Sequence, residues 1–103
     1  MTESDLLDKV CDILSDEHNT DIPRPVLQTI VRVLSSEITE CVAHGDAVAL
    51  TNFGSFRSKD YDPRKVENPS GVFEIPARRL PRFVPSSTFR QRCKTVAESL
   101  NHL

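Results

Sequence analysis

Apolar residues return every three or four positions up to Gly45, switch to every second position from Ala47 to Thr51, and return at helical spacing in the final segment from Phe89 to Leu100. Leu6, Leu7, Val10, Ile13 and Leu14 mark a first helix, opened by the capping-box pattern Thr2-Glu3-Ser4-Asp5 and expected to fade in the polar run Ser15–Thr20. Pro23 and Pro25 fit only the first turn of a second helix, where a missing N–H costs little. Its stripe is Leu27, Ile30, Val31, Leu34, Ile38, Cys41 and Val42, and Gly45 stands where a C-terminal cap belongs. Two helices with one apolar face each form a hairpin that needs something to cover it.

Val48 and Leu50 then alternate with Ala47, Ala49 and Thr51 as a strand, and Asn52-Phe53-Gly54 turns the chain into Ser55–Lys59. From Arg57 to Gly71 the apolar side chains dwindle to Tyr61, Val66 and two prolines, too few for a strand that lies on a core. Strand character resumes at Val72–Ile75 and Leu80–Val84. Between the two runs, Asn68-Pro69-Ser70-Gly71 fits a type I turn, with Asn first, Pro second and Gly fourth. The pattern predicts a long hairpin whose outer half protrudes. Ser86 or Ser87 caps a last helix reaching about Leu100, with Phe89, Cys93, Val96 and Leu100 on one face.

The expected fold is therefore α+β: an N-terminal helical hairpin, an antiparallel sheet with a protruding β-arm, and a C-terminal helix. Residues 1–103 make one domain, with helices over 1–45, sheet and arm over 46–84 (arm about 58–78), and the final helix over 85–103. A domain of this size buries roughly 60–65% of its unfolded surface, and a projecting arm leaves the core smaller still, so a partner subunit is expected to supply burial.

Charge sharpens the picture. Residues 1–50 carry three basic side chains against ten acidic ones, whereas residues 51–103 carry ten against five. One half either meets a polyanion or attracts the other half. The hairpin holds Arg57, Lys59, Arg64, Lys65, Arg78, Arg79 and Arg82, with four acids among them (Asp60, Asp62, Glu67, Glu74), a surface suited to phosphates. At its tip Pro69 is rigid and apolar. It either stiffens the turn or enters between stacked bases as a wedge, and spacing alone does not decide.

Other chemistries find little footing. Cys11, Cys41 and Cys93 are far apart with no histidine at ligand spacing, and His18, His44 and His102 are isolated, so neither disulfides nor a metal nor a cofactor is expected. The three glycines serve caps and turns, leaving no phosphate-cradling loop, and no nucleophile elbow or paired-carboxylate site is present; an enzyme is not expected. No run approaches the ~18 apolar residues of a membrane span. The acidic start Met1–Asp5 is unlike a signal peptide, so a cytoplasmic location is expected.

Taken in order, Gly45-Asp46-Ala47-Val48-Ala49-Leu50, Phe53-Gly54-Ser55-Phe56, Asn68-Pro69 after eleven intervening residues, and Ala77-Arg78-Arg79-Leu80-Pro81-Arg82-Phe83 resemble the HU/IHF family of bacterial DNA-bending proteins. Ile38-Thr39-Glu40 and the basic last helix fit as well, so the resemblance spans nearly the whole chain. It implies an intertwined dimer with a three-stranded antiparallel sheet, nucleoid-associated, whose two arms wrap double-stranded DNA in the minor groove. Minor-groove architectural binders of this kind use apolar wedges to kink the duplex. Low sequence specificity and a preference for flexible or distorted sites follow. On this mapping Pro69 intercalates, Asn68 and the seven hairpin cations contact backbone or groove, and Arg90 touches phosphate beside the body. A homodimer is expected, with heterodimeric pairing open because Ile75-Pro76-Ala77-Arg78-Arg79 is similar to IHF chains. Three departures stand out, one being an acidic first half that is unusual for a protein that coats DNA. Val66-Glu67 replace the family's usual Gly-Arg, and the return from Asn68 to Phe83 is about two residues short. Weaker or more selective DNA binding is the expectation. The alternative is a module of the same fold that binds protein, or a heterodimer partner with weak DNA binding of its own.

Overall fold

The computed structural model describes residues 1–101, so His102 lies outside the described residues. In chain order the elements are α1 (Glu3–His18), α2 (Arg24–Ala43), β1 (Val48–Leu50), β2 (Gly54–Tyr61), β3 (Arg64–Asn68), β4 (Gly71–Ile75), β5 (Arg78–Pro85) and α3 (Ser87–Leu100). They divide into two compact units, Met1–Glu37 and Ile38–Leu103, with the boundary inside α2. Among the described residues no helix is long and apolar enough to cross a membrane.

In the first unit the capping box forms as the sequence predicts. The Asp5 amide donates to Thr2 Oγ1 at 3.2 Å and the Thr2 amide to Asp5 Oδ2 at 3.1 Å. The helix outruns its apolar pattern, reaching His18, because exposed serine and glutamate do not end a helix. Asn19 does, in the left-handed conformation at φ 51° with its N–H on the Leu14 carbonyl. Leu7 and Leu27 are buried. Arg24 ties α2 to α1 through Asp8 Oδ1 (2.6 Å) and Ser4 Oγ (2.6 Å), and Arg32 reaches Glu3 at 3.1 Å.

The second unit opens with the end of α2. The Gly45 amide donates to the Val42 carbonyl (3.0 Å) and the Asp46 amide to the Cys41 carbonyl (2.9 Å), with Gly45 at φ 91°. This is the Schellman arrangement, in which glycine takes the left-handed position at no steric cost. The antiparallel sheet has order β1-β2-β5, and β3 and β4 form a separate two-stranded ladder. Four phenylalanines from turn, sheet and α3 (Phe53, Phe56, Phe83 and Phe89) cluster with centroids 5.0 to 6.3 Å apart. Ser86 caps α3, accepting from the Phe89 amide at 3.0 Å.

Gly54 is required by that cluster. A Cβ there would stand 2.6 Å from two Phe83 ring carbons and from the Val84 carbonyl oxygen, a backbone atom that cannot swing aside. Gly54→Ala should cost about 1–3 kcal/mol through overpacking. The measurement is urea unfolding; a midpoint equal to wild type would show that the cluster yields more readily than its geometry implies.

The expected protrusion is present, with an internal break. The β2–β5 ladder extends to Tyr61↔Arg78, and pairing resumes at Arg64↔Ile75. The register carries straight across, so Pro63 and Pro76 stand level on opposite strands, where neither can donate a ladder hydrogen bond. The inner part of the predicted arm thus belongs to the three-stranded sheet, and residues 64–75 form the outer ribbon.

Burial in a single chain is slight. Among the described residues the buried hydrophobic side chains are Leu7, Leu27 and Val42, while Val26, Ile30, Val33 and Leu34 of α2 and Phe89, Cys93, Val96 and Leu100 of α3 are exposed. Cores of this size normally bury far more, and contiguous exposed apolar faces mark association surfaces.

Candidate nucleic-acid interface

Side chains of directly paired residues in an antiparallel ladder project to the same face, and neighbours along a strand to opposite faces. The β2–β5 register therefore sorts the hairpin residues into two sets. Phe56 and Phe83, Ser58 and Pro81, and Asp60 and Arg79 share the aromatic-core face. Arg57 and Arg82, Lys59 and Leu80, and Tyr61 and Arg78 share the other. Four of the predicted DNA-contacting cations (Arg57, Lys59, Arg78 and Arg82) are thus gathered on one side of the sheet.

Two features of that side point to an anionic ligand. Arg57 and Arg82 are directly opposed, an arrangement that costs stability in a bare sheet, and neither forms an ion pair within the chain among the described residues. Lys59 and Arg78 both lie over the Tyr61 ring, at 5.3 and 4.9 Å from its centroid. Such contacts hold long cationic side chains in place before a ligand arrives. Tyr61 was not among the predicted site residues, although its period-two spacing from Arg57 and Lys59 places an aromatic in their row.

Arg79 is placed differently. Its Nε and Nη2 donate to Asp60 Oδ1 and Oδ2 at 2.6 and 3.1 Å, and its Nη1 donates to the Ala43 carbonyl at 3.0 Å. The hydrogen bond from Arg79 holds the Asp60 carboxyl below its ordinary pKa, and the same bond raises that of Arg79. This guanidinium is occupied and lies on the face opposite Arg78.

In the outer ribbon the same rule puts Arg64, Val66, Asn68, Phe73 and Ile75 on one face, and Lys65, Glu67, Val72 and Glu74 on the other. Arg64 and Lys65, adjacent in sequence, point apart. Phe73 is half exposed, as is fitting for a ribbon with no core beneath it.

At the tip Asn68 pairs with Gly71 across Pro69 and Ser70, and the Ser70 amide donates to Asn68 Oδ1 at 2.8 Å. Two-residue hairpin loops favour primed turns with positive φ at the first central residue, which the proline ring forbids. Ser70 is not at positive φ either, and the correction falls on Gly71 at φ 134°. Pro69 is thereby held at the extremity. Arg90 lies in the first turn of α3, its amide on the Ser86 carbonyl at 3.0 Å, with its side chain free among the described residues.

A sheet with one cationic face and a two-stranded ribbon beyond it is an arrangement suited to a polyanion such as nucleic acid. A family model described as bacterial DNA-binding protein matches residues 1–94, and the chain belongs to that family. Its relatives include DNA-binding protein HU of Nostoc (31% identical over 94 residues, covering 89% of this chain and 94% of the relative) and integration host factor subunit alpha of Acinetobacter baylyi (31% over 100 residues, 95% and 97%). Among solved structures, an Anabaena HU–DNA cocrystal structure matches with a TM-score of 0.71 at 29% identity, covering 90% of this chain and 97% of that one. An HU variant from Thermotoga maritima, 22% identical with a TM-score of 0.59, shares the fold.

Proposed function

We propose that this chain acts as a histone-like dimer that bends and compacts double-stranded DNA. The cationic sheet face seats the phosphate backbone, and the ribbons reach along the minor groove with Pro69 as the intercalating tip. The observation that carries this reading is the row of Arg57, Lys59, Arg78 and Arg82 on the sheet face turned away from the aromatic core, with no carboxylate partner among the described residues. On the ribbon Lys65 adds a contact from one face and Arg64 and Asn68 from the other, and Arg90 adds one beside the body. Arg79 enters the site through Asp60 rather than directly. The likeness to an HU–DNA cocrystal structure supports the same reading.

Neutralising about six phosphates would release their counterions and give a log–log salt slope near −5. Unstacking by the wedge costs a few kcal/mol per step and is offset by the surface that bent DNA brings to the protein, so nicked or flexible duplex should be preferred. The minor groove offers a degenerate code, and specificity should therefore follow deformability. In the cell such a protein would sit on the nucleoid. Both homodimers and heterodimers are compatible with relatives named as HU and as integration host factor subunits.

End-labelled duplexes of about 35 base pairs, intact and nicked, titrated at several salt concentrations, test the reading by energy transfer. Compaction of the duplex ends with a steep salt slope is expected. Absence of binding to nicked DNA at low salt overturns it in favour of a protein partner, a role that Glu67 and Glu74 on one ribbon face would suit.

A further inference from the structure

We infer that Arg79, Asp60 and the last carbonyl of α2 form a clamp that fixes the direction in which the β-arm leaves the body, making Arg79 a positioning residue rather than a phosphate contact. Three elements distant in sequence converge there. Asp60 is second from the end of β2 and Arg79 second from the start of β5, directly paired in the last part of the ladder before the proline break. The guanidinium grips the carboxylate through two nitrogens and gives its third to the Ala43 carbonyl, one of the orphan acceptors at the end of α2. A cation at this helix end also opposes the negative pole of the helix.

The local backbone is shaped around the same group. Gly45, at φ 91°, leaves room such that an added Cβ would come within 3.3 Å of Arg79 Nη1. The grip on Asp60 is two-pronged, with a third nitrogen to spare for Ala43, which a guanidinium supplies and an ammonium does not. One pair beyond the clamp, after Tyr61↔Arg78, the ladder is interrupted at Pro63 and Pro76, so the clamp sits at the last paired end of the sheet before the ribbon. A sheet end free to twist there would spread the ribbon over many directions, and the two tips would reach their base steps less often.

The bending part of this inference rests on the DNA reading above, so the experiment pairs it with one that needs no DNA. In the free full-length protein, hydrogen exchange is followed at the amides of Gly45 and Asp46, which close the end of α2, and at the tip amides of Ser70 and Val72. Asp60→Asn and Arg79→Gln should each speed exchange at Gly45 and Asp46 up to about fivefold, the range of an exposed ion pair, and leave the tip amides unchanged. Unchanged exchange at Gly45 and Asp46 in both variants overturns the clamp whatever the protein does with DNA.

On labelled duplex, Arg57→Gln serves as the phosphate-binding control and should flatten the salt slope by about 0.9 for each phosphate left without its cation. Arg79→Gln and Asp60→Asn should instead keep the wild-type slope and lower the fraction of complexes bent at saturation, with Arg79→Lys recovering only part. If Arg79→Gln flattens the slope as Arg57→Gln does while bending at saturation is kept, Arg79 binds phosphate directly and the inference fails. A gain in affinity on Asp60→Asn, with normal bending, would overturn it equally, since it would mean that the freed guanidinium goes to DNA.

Discussion

Leu34→Lys is expected to abolish the folded protein at micromolar concentration, although in the isolated chain the change is mild. Leu34 is 49% exposed there. Leucine and lysine have nearly the same helix propensity, and a lysine at 34 would gain an i,i+3 partner in Glu37. In a single chain the cost should be about 1 kcal/mol, the value of half a buried leucine. The single chain is not, however, a stable end state for a sequence that leaves Ile30, Val33 and Leu34 open on one helix and Phe89, Val96 and Leu100 open on another. If a second subunit covers them, the substitution buries an ammonium without a partner, and two-fold symmetry repeats it on the other side.

The two cases separate sharply in sedimentation and thermal unfolding. Wild type should be a dimer whose melting temperature rises with protein concentration, because folding and association are one equilibrium. Leu34→Lys should lose both the dimer mass and the cooperative transition. A variant that sediments and melts as wild type does would show that this face of α2 is not the subunit interface.

Local chemistry made much of this architecture readable in advance. A hydroxyl three residues before an acid announced the start of α1, the Ser86-Ser87 pair that of α3 (the cap is Ser86), and Gly45 the end of α2, because each motif satisfies backbone groups within a few residues of itself. The tip was equally legible, since Asn first, Pro second and Gly fourth announce a four-residue turn, and Asn68 and Gly71 are the pair that closes it. The split of the cations by face was not legible in the same way. Arg78 and Arg79, or Arg64 and Lys65, count equally as positive charge in sequence, yet pleating sends each pair in opposite directions. The partners of Arg79 lie 19 and 36 residues away, and no local pattern announces them. Likewise Pro63 and Pro76 are visible as residues, but that they stand level depends on the register, which is set at the tip turn.

Pro69→Ala should separate bending from binding. Alanine adopts the φ that proline imposes, so the turn keeps its Asn68 Oδ1 contact to the Ser70 amide and its glycine at 71, and the unfolded chain gains freedom worth about 0.4–1 kcal/mol at most. What disappears is the rigid ring at the ribbon's end. If Pro69 is the wedge proposed above, nothing then props a base step open, and the few kcal/mol of unstacking at each of two tips would no longer be met by apolar contact. On intact duplex the bent fraction at saturation should fall by about tenfold or more, since each 1.4 kcal/mol is a factor of ten, while affinity changes much less because Arg57, Lys59, Arg78 and Arg82 remain and the unstacking cost has also gone. On nicked duplex, where the step is already loose, the variant should bend nearly as well as wild type. That difference between the two duplexes distinguishes a wedge from a structural turn residue. Equal loss of binding and bending on both would mean that Pro69 only shapes the ribbon, and unchanged bending on intact duplex would move the kink to the sheet face and leave the tip without a role in it.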